Sequence, residues 1–149
     1  MTQIELLRQF VARLVKNRDK AGLHEAINLA QHLQMKLFDR PAADFLQLEA
    51  SEQVQALLAG VSPADGCEKC LTYATLLQAT ATLYQLQGRD DLTLGARQLA
   101  LYVALSAALN ADSSSAPAGE LVDHVRAELG DASLLPPVQE LLDQYDARR

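Results

Sequence analysis

Two stretches without a single charge constrain this chain most: Leu71 to Gln87 and Gln98 to Ala111, separated by Gly88-Arg89-Asp90-Asp91. Neither alternates polar and apolar residues at period two, so neither reads as a strand, and both carry helical periodicity. The segment 65–110 is therefore expected to be a buried helical hairpin hinged at Gly88. Asp65-x-x-Glu68 supplies a capping box, from which a helix is predicted over about Cys67 to Leu86. Its broad apolar side holds Tyr73, Leu76, Leu77, Ala81, Leu83 and Tyr84; Thr75, Gln78, Thr82 and Gln85 lie opposite, and neutral polar groups there imply partial burial. The next helix opens at Asp90 or Asp91 and runs to about Asn110.

That second helix has two apolar stripes. Leu92, Ala96, Leu99, Tyr102, Val103 and Leu109 lie on one side, and Leu94, Leu101, Leu105 and Ala108 on another. A second stripe requires a second cover, either the C-terminal helices of the chain or another copy of the protein in a homodimer, because a small domain does not leave four aligned apolar side chains in water.

The rest of the chain supplies covers. Over residues 3–16, Ile4, Leu6, Leu7, Phe10, Val11, Leu14 and Val15 share half of a helical wheel, and Thr2-x-x-Glu5 reads as a capping box. A turn at Asn17-Arg18-Asp19 leads to a helix over about Lys20 to Phe38, with Leu23, Ala26, Ile27, Ala30, Leu33 and Leu37 inward; the two helices are expected to pack antiparallel, with Pro41 beyond the end. Residues 41–62 are irregular, with a turn near Phe45, Leu46 and Leu48 and a short helix capped by Ser51 that carries Val54, Leu57 and Leu58. Ala111 to Ala118 reads as a flexible connection. A C-terminal pair follows within 117–147: one helix from about Pro117 to Leu129, closed by Gly130, and one from about Leu134 to Ala147, with Pro136 and Pro137 in its first turn. The sum is one all-α domain over 1–149, a bundle of five to seven helices.

Charge excludes some partners. Lys+Arg 13 against Asp+Glu 19 gives a net charge of -6, and the scattered basic residues offer no stripe for a phosphate backbone, so no nucleic acid is expected. The charge-free runs are interrupted by Thr72, Thr75, Gln78, Thr80, Thr82 and Gln85, too often for a membrane span. No signal peptide is apparent at Met1-Thr2-Gln3-Ile4-Glu5. The two cysteines, Cys67 and Cys70, do not form a disulfide framework, in keeping with a cytoplasmic protein.

The chemistry-bearing candidates are few. Cys67-Glu68-Lys69-Cys70 has the spacing of dithiol oxidoreductases, and near a helix start Cys67 would gain thiolate character. The usual host of that motif is a βαβ fold, which is not visible here. An all-α precedent in alkylhydroperoxidase-like proteins places a Glu three residues before the first Cys and a His four after the second, where this chain has Ala64 and Ala74. His24 and His32 fall on the outer side of their helix, and His124 lies on another, so no metal set assembles from sequence. Tyr73, Tyr84 and Tyr102 either line a groove between helices with their hydroxyls at a rim or are core residues, each with one satisfied hydroxyl. Arg148 and Arg149 suit a helix C-terminus. No phosphate loop, G-x-S-x-G or H-E-x-x-H occurs, and nothing implies catalysis or a cofactor.

Leu77-x-x-Thr80-Ala81-x-x-Tyr84, followed by Gly88, resembles the first half of a tetratricopeptide repeat (TPR), with the small residue and the tyrosine kept. In the second half the small-x3-large step falls on Thr93 and Arg97, which do not fit, while Ala96 and Ala100 come three residues late. Ala26-x-x-x-Ala30 followed by Pro41 is likewise near the pattern but out of register. In layout the chain also resembles uncharacterised bacterial proteins with a TPR-like domain of unknown function: an amphipathic first helix, a second resembling Leu23-His24-Glu25-Ala26-Ile27, and a charge-poor hairpin like Leu76 to Leu105. The resemblance implies a fold and no activity.

The expectation is a non-catalytic, TPR-like protein-protein interaction module, either a homodimer or a binder of a partner helix, with Leu94, Leu101, Leu105 and Ala108 as its surface. The alternative is a small all-α dithiol redox protein using Cys67 and Cys70.

Overall fold

The computed structural model describes Gln9 and residues 20–38, 48–110 and 116–148. The predicted helix over 3–16, the turn at Asn17-Arg18-Asp19, Pro41, and Phe45 and Leu46 lie outside the described residues. Six helices follow in order: α1 (Lys20–Phe38), α2 (Ala50–Leu58), α3 (Pro63–Leu86), α4 (Asp90–Asn110), α5 (Ala116–Leu129) and α6 (Pro136–Ala147). There is no strand among the described residues, and the all-α class holds.

The centre is the hairpin of α3 and α4. Six consecutive residues of α3, Leu76 through Ala81, are buried. With 3.6 residues per turn, such a run buries the full circumference of the helix over its middle turns, while Leu71, Thr75 and Thr82 on either side stay half-buried. One side, through Leu76, Ala79 and Leu83, meets Leu23, Ala26, Ile27, Ala30 and Leu33 of α1. The other side, through Tyr73, Ala74 and Leu77, joins the main core with Ala100, Val103 and Ala104 of α4. Fully buried alanines at 74, 81, 100 and 104 leave little side-chain bulk within the hairpin. Each leucine removed from water here contributes about 1.5–3 kcal/mol.

The turn between α3 and α4 is a Schellman closure. Arg89 N–H donates to Tyr84 O and Gly88 N–H to Gln85 O, both at 3.0 Å, and Gly88 has φ 77°. Only glycine takes that backbone conformation without strain, so the predicted hinge falls at Gly88.

Two helix starts differ from expectation. α3 begins at Pro63, not near Cys67: Ser62 is its N-cap, its Oγ accepting from Asp65 N–H at 3.2 Å. Pro63 lacks the amide that a first-turn residue leaves unpaired, so Ser-Pro is a better start than the Asp65 and Glu68 pair. Likewise α2 is capped by Glu49, whose N–H donates to Glu52 Oε1 at 3.2 Å, and Ser51 lies inside the helix. At the far end, Ala116 to Ala118 belong to α5, shortening the expected connection, and α6 begins at Pro136, two residues late.

The C-terminal pair covers the outer side of α4. Leu101 and Leu105, both fully buried, share one cluster with Val122, Val125, Leu129, Val138 and Leu142. Two polar clips secure this layer: Leu135 N–H donates to Gln98 Oε1 at 2.7 Å, and Arg148 Nη1 donates to Leu109 O at 2.9 Å. By length and composition α4 could cross a membrane, yet half of that stretch is buried inside this bundle.

Candidate functional site

Because α5 lies against both α3 and α4, an open groove of about 480 Å³ forms beside the hairpin. Leu71, Thr75, Gln78, Ala79 and Thr82 of α3 form one wall; Pro117, Glu120, Leu121, His124 and Glu128 of α5 form the other. Thr75 and Thr82 turn their hydroxyls back onto Leu71 O and Gln78 O, at 2.8 and 3.2 Å, and thereby show methyl groups outward from the helix backbone. On α5 the stripe Glu120, His124, Glu128 repeats every four residues and keeps to one face.

One end of the groove is closed by a polar hub at Glu128. Its Oε1 accepts from Gln78 Nε2 at 2.6 Å and pairs with His124 Nε2 at 2.9 Å, while Oε2 pairs with Arg97 Nη2 at 3.2 Å. Arg97 Nη2 also donates to Gln85 Oε1 at 3.0 Å. Side chains from three helices thus converge on one carboxylate and its arginine. Two buried atoms beside them, Gln78 Oε1 and Arg97 Nε, have no hydrogen-bond partner among the described residues. His124 is the loosest member, with its side chain 67% exposed against 15% for Arg97.

The sequence-predicted residues are dispersed. Leu101 and Leu105 are in the chain's own core and show nothing to a partner; Leu94 is exposed and Ala108 half-buried. The four therefore do not form a surface patch: α5 and α6 cover the stripe at Leu101 and Leu105 and leave Leu94 outside. Cys70 is fully buried, and burial, followed by the charge of Cys67, pushes its thiol up to about 11. Cys67 is half-buried with its Sγ 3.9 Å from Ala107 O. Since α3 starts at Pro63, Cys67 lies past the first turn with its free amides, and not at the helix start expected for it. Both thiols are free. Among the described residues no three His, Cys, Asp or Glu side chains gather as a metal set; His24 and His32 face solvent on α1.

Tyr73 is a core residue. Its hydroxyl donates to Gln53 Oε1 at 2.7 Å, its ring meets Phe38 edge to face at 4.9 Å, and burial raises its pKa. Tyr102 is half-buried, with a pKa raised by burial and then by the Glu140 carboxylate.

Sequence reasoning did not assemble Gln78, Arg97, His124 and Glu128. Two signals point to them: Arg97 is the one charge between Asp91 and Asp112, and Gln78 and Gln85 lie seven residues apart on the uncharged part of α3. Comparisons with protein-family models, with curated proteins and with solved structures return no match to this chain.

Proposed function

We propose that this chain is a non-catalytic, TPR-like interaction module that holds a helical segment of a partner protein in the groove between α3 and α5. The observation that carries this reading is the groove itself: an apolar floor from Leu71, Ala79, Leu121 and the threonine methyls, with charged side chains confined to the α5 rim. An amphipathic helix laid into a groove of that kind buries its apolar face and leaves its polar face wet. The chain's own C-terminal helices already occupy Leu101 and Leu105, so the groove replaces that stripe as the place a partner would engage.

Selection of a random library of helical peptides on the intact chain tests the reading, with Thr75→Arg and Thr82→Arg as groove-filling variants. Peptides retained by the parent chain should lose about tenfold or more in affinity on both variants, while far-ultraviolet circular dichroism shows both variants folded. If no selected peptide depends on the groove, the reading is wrong.

A further inference from the structure

We infer that the helix accepted by this groove is basic, carrying two lysine or arginine side chains about seven or eight residues apart on either side of an apolar anchor; this rests on the groove reading above. Glu120 and Glu128 are the two carboxylates of the α5 wall, which runs from Pro117 to Glu128. Eight residues of helix span about 12 Å, so a helix lying alongside α5 meets both carboxylates with residues at that same spacing. Between them Leu121, facing Ala79 and Leu71 across the groove, offers the apolar seat for the anchor.

The two carboxylates differ in their present pairing. Glu120 is exposed at the rim, ready for an incoming ammonium or guanidinium. Glu128 is held from behind by Arg97 and Gln78, both buried or nearly so, and from the solvent side by His124, which is mostly exposed. An arriving cation displaces His124 from Oε1 and leaves the inner contacts in place. No lysine or arginine lines the groove among the described residues, and the chain's net charge of -6 adds long-range attraction for a basic segment and repels a second copy of itself.

The library selection gives the sequences, and fluorescence anisotropy on one labelled groove-dependent peptide gives the test. Enriched peptides should carry Lys or Arg at the stated spacing. Replacing both cations by Gln should weaken binding by about tenfold or more, raising salt should weaken it too, and Glu120→Lys should do the same until the facing peptide lysine becomes Glu. Groove-dependent peptides that are neutral or acidic, or that tolerate Lys→Gln and Glu120→Lys unchanged, overturn this inference while leaving the groove reading standing. Absence of any groove-dependent peptide overturns both. Glu120 is exposed, and circular dichroism of Glu120→Lys separates lost binding from lost fold.

Discussion

The Tyr73 hydroxyl of α3 donates to the buried Gln53 side chain of α2 at 2.7 Å, and Gln53 Nε2 in turn donates to Leu48 O at 3.1 Å. This relay adds a polar tie between the short α2 and the centre of the bundle, beside the apolar contacts of Val54 and Leu57 in the main core. Tyr73→Phe keeps the ring and its edge contact with Phe38 and removes only the donor. It should destabilise the fold by about 1–2 kcal/mol in urea unfolding, with amide exchange accelerated in α2 ahead of α3.

Substitutions along the second stripe of α4 should separate core from surface. Leu101→Ala opens a cavity at a fully buried position and should cost about 2–5 kcal/mol. Leu94 is 39% exposed, so Leu94→Ala should stay within about 0.5 kcal/mol of the parent. Chemical denaturation of the pair measures both, and equal effects would contradict the placement of α5 and α6 over α4.

Glycine exchanges should have opposite signs at two positions. Gly95 lies inside α4, and beyond the helix's own nearby backbone no atom of the described residues comes within 4 Å of the point a Cβ would occupy, so Gly95→Ala should stabilise by about 0.5–1 kcal/mol through helix propensity. Gly88 has φ 77° and equally open surroundings, but Ala there is forced into the left-handed region and should destabilise by about 1 kcal/mol. Thermal melts of the two variants should move in opposite directions.

Stability should fall on the alkaline side. Cys70 ionises near 9.0 when unfolded and at about 11 when folded, so the unfolded state releases its proton first. Its contribution is fully present below about pH 9 and is lost as pH rises towards 11, a change on the order of 1–3 kcal/mol. Tyr73, also raised by burial, steepens the loss beyond its unfolded value. Cys70→Ala should flatten the segment between about pH 9 and 11 in denaturation curves. In the parent, Cys70 should react with iodoacetamide only at the rate of unfolding, and faster modification would contradict its burial.

The hairpin is legible in the sequence because burial of a whole helix erases charge from its residues, and Gly88 marks the only cheap place to turn. Helix starts are less legible: Ser62-Pro63 and Asp65-x-x-Glu68 are both legitimate openings, and the choice between them goes with Gly66, whose missing side chain admits Leu58 against α3. The groove is illegible for a different reason. Its walls come from α3 and α5, more than thirty residues apart in sequence, and Glu128 acquires its meaning only when Gln78 and Arg97 arrive from two other helices. Periodicity describes which face is apolar, not which neighbour will share it.

The sealing of Leu101 and Leu105 by α5 and α6 has a consequence for biosynthesis. Translation delivers the hairpin before its lid, and until α5 and α6 emerge those leucines are sticky. A chain cut off before α5 should therefore aggregate more readily than the parent chain, because the cover for those leucines comes from the chain's own later helices.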